Sequence, residues 1–246
     1  TNLQAMFLPF PHFSHMRAIW NIVYHIFPLL QHRDRVNRME FVFLIAILIF
    51  SIVLHEVSHG VVANALGDPT AKNAGRLTLN PIPHLDPIGS ILLPGFLILM
   101  SQFGGGGIIF GWEKPVPVNP LNLRDKKYGS LLVSLAGPGS NLAIALAFGL
   151  ALRFLPLAEL NPAFVLVFSY IVLLNILLAV FNLLPIPPLD GSHILFTFLP
   201  RSFDAVRIFL SQFGIFVLLF VIFFFFGFVS LIVNFLFTLI VGTSFF

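Results

Sequence analysis

The chain has 246 residues, of which 58% are hydrophobic and only 9% are charged. A soluble domain carries about 25% charged residues, so this composition predicts an integral membrane protein with several spans. The 13 lysines and arginines are scattered along the chain, which argues against a nucleic-acid surface. Because there is no cysteine, disulfides, thiolate metal ligands and a cysteine nucleophile are excluded.

Residues 1–38 form a mixed segment before the first clear span. Its apolar part, residues 18–30, is too short to cross a membrane, so we expect an interfacial helix or a loosely held arm. Met39 could be a native start, in which case this arm is an extension. Four histidines of the arm fit no standard metal-ligand spacing and are expected at the surface: His12, His15, His25 and His32.

The first clear span, residues 41–66, contains the sequence His-Glu-Val-Ser-His. His55 and His59 are four residues apart, so on a helix they lie one above the other and can bind the same metal ion. Glu56 lies beside the first histidine and can take a proton from a metal-bound water. Ionisable groups inside hydrocarbon cost roughly 2.5–3.5 kcal/mol each, which favours a functional interpretation over a buried core.

The stretch after this helix is predicted to contain a short β-strand and a re-entrant segment. Residues 76–80 have the pattern of a strand within a polar, proline-punctuated region. Residues 88–103 are apolar but fewer than the ~20 that a full span needs, so we expect them to dip into the membrane and return. Residues 111–122 are predicted to be a proline-rich loop or an edge strand.

Two further full spans are predicted at residues 128–152 and 162–184. The earlier one contains Gly-Pro-Gly-Ser-Asn, whose small residues permit close helix contact. Its Asn141 fits an interhelical hydrogen bond and an active-site role equally well. The later span runs into a break with three prolines at residues 182–191, whose exposed backbone must line a cavity or pack on protein.

Residues 206–246 are very apolar and rich in phenylalanine. One straight helix of that length would measure ~60 Å, twice the hydrocarbon core, so we expect two segments bending near Gly227, or one span and a re-entrant piece. The predicted fold class is an all-α polytopic membrane protein with roughly five to six membrane segments and a short β or re-entrant insertion after the first span. The expected divisions are an N-terminal arm at 1–38, a catalytic transmembrane core at 39–200 and C-terminal hydrophobic helices at 201–246.

A catalytic zinc ion needs three protein ligands and an open position for water. We predict Asp190 as the third ligand, because this carboxylate follows the helix break at 182–191. His84 and Asp86, in the loop after the motif helix, are alternatives. A helix-capping or turn role for Asp190 stays open at this point.

With these ligands, zinc would lower the pKa of its water towards ~7, and Glu56 would pass the proton to the leaving amine. The developing oxyanion needs a donor besides zinc. Asn182, eight residues before Asp190, is placed to be that donor.

Three motifs together resemble the site-2 protease family of intramembrane zinc metalloproteases: HEVSHG in an apolar span, GPGSN in a later span, and NLLPIPPLDG after that. They occur in the family's order, and the resemblance covers residues 39–199. Two further segments, GRLTLNPIPHLDPIGS and GWEKPVPVNP, are similar to the compact bacterial and archaeal branch, which lacks a PDZ domain.

The resemblance implies that His55, His59 and Asp190 bind zinc and that Glu56 is the catalytic base. It also implies cleavage within or near the transmembrane helix of a membrane-anchored substrate, as in regulated intramembrane proteolysis. A helix hides its carbonyls in hydrogen bonds, so the substrate must unwind locally. The resemblance implies that residues 76–80 hold the unwound, extended peptide. The expected partners are this substrate and the lipid bilayer, with no nucleic acid.

The distribution of lysine and arginine between the loops favours an active site that faces the cytoplasm, as the resemblance also implies. The similarity to the compact branch implies a bacterial or archaeal cell membrane. The arginines just before the first span argue the other way. Two other functions remain as alternatives: a catalytically silent metal-binding scaffold and a metal-ion transporter. The presence of Glu56 argues against the scaffold, and the few further polar residues in the spans argue against the transporter.

Overall fold

The computed structural model describes residues 38–92, 96, 114–156, 159 and 161–245. The predicted arm with its four histidines, and most of the predicted re-entrant segment, lie outside these residues. The described residues contain six α-helices, named here in chain order: α1 (Arg38–Ala65), α2 (Thr70–Asn73), α3 (Lys126–Phe154), α4 (Pro162–Asn182), α5 (Asp190–Phe198) and α6 (Asp204–Val241).

Four of these helices are long and apolar enough to cross a membrane. Their candidate spans are Val42–Ala65, Tyr128–Phe154, Pro162–Asn182 and Asp204–Val241. The first three confirm the predicted spans to within a few residues. The described part of the chain therefore has four such helices, where the sequence predicted five to six membrane segments.

The predicted β-strand at residues 76–80 is wrong, because this stretch is irregular and no strand occurs anywhere in the described ranges. The neighbouring segment at 114–119 is also irregular. A ladder needs regularly spaced N–H donors, and Pro115 and Pro117 have none. The carbonyl groups of Lys114 and Pro115 accept hydrogen bonds from the side chain of Arg76 and not from a neighbouring strand.

The C-terminal region was predicted to bend near Gly227 or to divide, and it instead contains one continuous helix, α6, of 38 residues. Glycine in a helix costs only about 1 kcal/mol relative to alanine, and α6 contains no proline that would force a break. The helix ends at Gly242, whose φ of 94° is the left-handed conformation that glycine adopts most readily. In the last turn of α6, the carbonyl of Leu239 accepts a hydrogen bond from Nη1 of Arg153 in α3, at 3.0 Å.

Helix α3 is the centre of the bundle and packs against α1, α4, α5 and α6. The main hydrophobic core includes Ala145 of α3, Ile176 of α4 and Phe237 of α6. Gly149 lets α6 come close, because a Cβ at that position would collide with Ile240. The central place of α3 brings α1 and α5, which carry the predicted ligands, against the same helix.

The predicted break between α4 and α5 is confirmed, and it packs on protein. A side chain at Gly191 would collide with the carbonyls of Leu183 and Leu184, so the break folds back tightly on the start of α5. Gly214 of α6 lies against the backbone of Pro187, which leaves no room for a Cβ. The break is therefore held between the end of α4 and the first turns of α6.

Asp68 fixes the loop that follows α1. This buried carboxylate accepts hydrogen bonds from the side chain and backbone of Thr70, from Asn122 Nδ2 at 2.9 Å and from the backbone N–H of Asn119 at 2.6 Å. Burial by itself raises the pKa of Asp68, but the hydrogen bonds from Thr70, Asn122 and Asn119 outweigh it and hold the pKa below its usual value.

We expect Asp68→Asn to lower the free energy of unfolding in detergent at pH 7 by about 1–3 kcal/mol, because an amide nitrogen then faces a buried donor. The folded-state pKa is depressed, so the contribution of Asp68 is complete above its unfolded pKa of about 3.9 and is lost as pH falls through the lower folded value. Unfolding curves of both proteins should therefore converge in acid. The exposed Asp204→Asn is the control, and a pH-independent difference for Asp68→Asn would contradict the assignment.

Candidate metal centre

Three side chains converge at the middle of the bundle. His55 Nε2 and His59 Nε2 are 3.0 Å apart, and Asp190 Oδ2 lies 3.1 Å from the former and 3.2 Å from the latter. The histidines come from α1 at i and i+4, and the aspartate is the first residue of α5. Among the described residues this is the group of histidines and carboxylates that could hold a metal ion.

The spacing of these three atoms matches one face of a tetrahedron around zinc. Zinc binds histidine nitrogen and carboxylate oxygen at about 2.0–2.2 Å, and tetrahedral geometry then places two ligand atoms about 3.3–3.5 Å apart. The observed 3.0–3.2 Å is close to that value. The fourth vertex is not supplied by this group, which is the arrangement of a catalytic site with an open position.

The histidine tautomers follow from the atoms on their far sides. His59 Nδ1 lies 2.6 Å from the carbonyl oxygen of Val133, which can only accept. A proton is therefore on Nδ1, and in the neutral imidazole the lone pair is then on Nε2, the atom that faces Asp190. A histidine held in this way by a second group is the usual arrangement for a metal ligand.

His55 is held by a buried network of amides. Asn141 Oδ1 lies 2.6 Å from His55 Nδ1, while Asn141 Nδ2 donates to the backbone carbonyl of Ser51 at 3.3 Å and to Asn175 Oδ1 at 2.9 Å. Asn175 Nδ2 donates in turn to the carbonyl of Ile171 and to Ser51 Oγ. Because carbonyls only accept, both amides can have only this orientation, and Asn141 must accept the Nδ1 proton of His55.

In their neutral forms both histidines therefore direct an Nε2 lone pair towards the carboxylate of Asp190. Two neutral imidazoles with one carboxylate are a ligand set that suits zinc. Gly137 of α3 makes this geometry accessible, because a Cβ there would collide with Nε2 of both histidines. The residues present therefore fit a zinc ion.

We expect Asn141→Ala to weaken zinc binding by about 10–100-fold, because His55 loses the acceptor that fixes its tautomer and orientation. The measurement is zinc retention by the purified protein against a competing chelator. Asn234→Ala, in α6, is a matched control, since its side-chain oxygen has no hydrogen-bond partner in the described structure. Unchanged zinc retention in Asn141→Ala would show that the network acts only in packing.

Glu56 lies beside this cluster but outside it. The side chain is buried, and its Oε2 accepts a hydrogen bond from the backbone N–H of Val116 at 2.7 Å. Within the described residues Oε1 has no hydrogen-bond partner. One oxygen is thus anchored while the other can accept a proton, which is the arrangement that a general base requires.

The other predicted residues are hydrogen-bonded to nearby backbone groups. His84 is not a third ligand, since its Nε2 is bonded to the carbonyl of Thr78 at 3.0 Å, and Asp86 Oδ1 accepts from the backbone of Ile88 and Gly89. Asn182 Nδ2 donates to the carbonyl of Leu178, one turn back in α4, at 3.0 Å.

Sequence reasoning missed the groups that position the ligands. Asn175 and Ser51 are polar residues in otherwise apolar spans, and Ser51 precedes His55 by one helical turn, which was an available signal. The sequence gives a weaker signal for the carbonyl of Val133. Pro138 has no N–H, so the carbonyl of Ser134, next to that of Val133, has no helical donor, which marks this part of α3 as a place where backbone carbonyls meet other partners.

Comparisons with known proteins identify relatives of this chain. The sequence model of Peptidase family M50 matches residues 156–223, which include the helix break and Asp190. The chain is 39% identical over 191 residues to "Putative zinc metalloprotease YwhC" of Bacillus subtilis, covering 73% of this chain and 80% of that protein. No solved structure gives a significant match.

Two mycobacterial relatives are similar over a shorter stretch. "Putative zinc metalloprotease Rip2" of Mycolicibacterium smegmatis is 36% identical over 156 residues, and its counterpart in Mycobacterium tuberculosis is 35% identical over 153 residues. Each match covers 61% of this chain and 55% of the relative. Together with the likeness to YwhC, the family match and the histidine–aspartate cluster, they show that this integral membrane protein is a zinc metalloprotease and belongs to Peptidase family M50, the site-2 proteases.

Proposed function

We propose that this protein is an intramembrane endopeptidase that hydrolyses a peptide bond within or near the transmembrane helix of a membrane-anchored protein. The observation that carries the proposal is the convergence of His55, His59 and Asp190 beside Glu56, inside a bundle of candidate spans. The names of the relatives support a zinc metalloprotease, and the location of the cluster supports a substrate that enters from the membrane.

In this proposal His55, His59 and Asp190 hold one zinc ion. The chemistry that zinc supplies when bound is Lewis acidity, which lowers the pKa of water towards ~7 and polarises a carbonyl. Glu56 accepts the proton of the attacking water at Oε1 and delivers it to the leaving amine, while Val116 holds Oε2 in place. The bundle keeps bulk water away from these groups, which strengthens their electrostatic interactions.

Asn182 is proposed to stabilise the oxyanion that develops on the scissile carbonyl. Its Nδ2 carries two hydrogens, and one of them goes to Leu178. The other is available to the carbonyl of a bound peptide. Such a donor contributes to catalysis when it points to the site where negative charge develops.

The proposed substrates are regulators with a transmembrane helix, cleaved in regulated intramembrane proteolysis. The excess of basic residues in the loops on the exit side of α1 supports a cytoplasmic active site in a bacterial or archaeal cell membrane. A scaffold without activity has less support than a peptidase, because Glu56 is buried and positioned beside the ligands. Few other ionisable groups lie in the candidate spans, which disfavours an ion path.

The test is cleavage of a reporter with a single transmembrane helix and a tag at each end, by the zinc-loaded protein in detergent micelles. We expect one cut within or next to the transmembrane segment, seen by mass spectrometry of both fragments. Removal of zinc by a chelator should stop the reaction, and added zinc should restore it. Cuts only in aqueous parts of the reporter, or none, would contradict the intramembrane assignment.

A further inference from the structure

The segment of residues 114–119 packs directly on α1, the helix that carries the His-Glu-Val-Ser-His sequence. Val116 donates its N–H to Glu56 Oε2 at 2.7 Å, and its side chain is buried. Gly60, one turn after Glu56, gives the segment its room, since a Cβ there would come within 3.0 Å of Val116 Cγ1 and would collide with Leu77. The segment is therefore in contact with the same face of α1 that carries the proposed base.

Prolines at 115 and 117 leave this segment with few, widely separated N–H groups. The N–H of Lys114 is bonded to the carbonyl of His84 at 3.0 Å, and the N–H of Asn119 is bonded to Asp68 Oδ2 at 2.6 Å. Between them the N–H of Val116 goes to Glu56. The two flanking bonds anchor the segment at its ends, and a third group is needed to orient its middle.

That group is Arg76. Its Nη2 donates to the carbonyl of Lys114 at 2.7 Å and to the carbonyl of Pro115 at 3.4 Å. The carbonyl of Pro115 and the N–H of Val116 belong to the same planar peptide unit. Arg76 and Glu56 therefore bind opposite ends of one peptide group, which lies between a cation and a carboxylate and is polarised by both.

The environment of Arg76 is costly for a residue that only fills space. Arg76 is 6% exposed, and its Nε has no hydrogen-bond partner. In the described part of the chain Arg76 forms no ion pair, so its charge is compensated by backbone carbonyls alone. A buried charge without a counter-ion is expensive, and an apolar residue would normally be more stable there.

From this arrangement we infer that Arg76 is a positioning residue for the proposed general base. Arg76 orients the peptide group between Pro115 and Val116, and this group binds Oε2 of Glu56, which leaves Oε1 to accept the proton. The inference rests on the proposed function for its effect on turnover. The contact chain from Arg76 to Glu56 can be tested without turnover.

The test compares Arg76→Gln with Arg124→Gln, which removes the same charge from an exposed arginine. We expect kcat on the single-span reporter to fall about 10–100-fold in Arg76→Gln, with KM and the zinc content unchanged, because misplacement of a catalytic group by ~1 Å has effects of this size. Hydrogen exchange at the Val116 amide should become about tenfold faster or more. Arg76→Lys keeps one charged donor and should recover part of both losses.

Each result decides a separate point. An unchanged kcat in Arg76→Gln, or a lower kcat with unchanged exchange at Val116, overturns the inference. If Arg76→Gln does not fold, Arg76→Lys takes its place, and equal kcat and exchange to the unmutated protein overturn the inference in the same way. If the unmutated zinc-loaded protein cleaves no reporter, the proposed function fails, and the exchange at Val116 alone then supports or overturns the contact chain.

Discussion

Replacement of Glu56 by glutamine should lower kcat for cleavage of a single-span reporter by about 10²–10⁴-fold, the usual contribution of a general base. Glutamine has the same shape, and its side-chain oxygen can still accept the hydrogen bond from Val116. The change therefore removes the ability to take a proton at Oε1 and little else. Glu56 is not among the three converging ligand atoms, so the zinc content should stay at one ion per chain.

The measurements are initial rates over a range of reporter concentrations and zinc content by elemental analysis. Glu159→Gln is the control, because it makes the same chemical change at an exposed carboxylate. Equal rates for Glu56→Gln and the unmutated protein would exclude Glu56 as the base. A rate loss that follows a loss of zinc would instead assign it to metal binding.

The second large effect is expected for Asp190→Ala, which should lose zinc affinity by more than the 10–100-fold typical of residues that only support a ligand. Two neutral imidazoles remain, and they lack the negative charge that balances the ion. Cleavage should disappear at zinc concentrations that saturate the unmutated protein, and excess zinc should restore little of it, because the ligand geometry is incomplete.

Asp204→Ala is the matched control for Asp190→Ala. Both aspartates are the first residue of a helix, α5 or α6, so both substitutions remove a negative charge from a helix N-terminus. Only Asp190 has its carboxylate within reach of His55 and His59. If the two variants lose zinc equally, the effect arises from helix stability, and Asp190 is not the third ligand.

The features that could be predicted from sequence are those with a local signal. The spans of α1, α3 and α4 are long apolar runs. The break before α5 is visible in the sequence because its prolines cannot continue a helix. His55 and His59 share a helix face at a spacing of four, so their pairing is also local. Asp190 could be chosen because a carboxylate at membrane depth is costly unless it binds an ion or pairs with another group.

The features that could not be predicted depend on contacts between distant segments. Residues 76–80 have the composition of a strand, but the nearby segment at 114–119 offers too few N–H groups to pair with it. The length of α6 suggested a bend, yet nothing in its sequence forces one. The network of Ser51, Asn141 and Asn175 joins three helices, and no pattern within one helix predicts which polar groups will meet.

The length of α6 also limits the depth of the catalytic centre. A helix of 38 residues is about 57 Å long, and even at a tilt of ~40° a hydrocarbon layer of ~30 Å takes up only about 39 Å of it. About 12 residues must then lie outside the hydrocarbon, and the polar end from Asp204 to Gln212 is the part suited to the headgroups.

Gly214 directly follows this polar end, and it is the residue that touches Pro187 in the break before Asp190. The metal centre therefore lies nearer the start of α6 than its end, and since His55 is 10 residues from Ala65 it lies well inside the span of α1. The side of the bundle on which α6 begins is thus the nearer source of water for the site. For the proposed substrate, we accordingly expect the cut bond to lie in the half of its transmembrane helix that is nearer the start of α6.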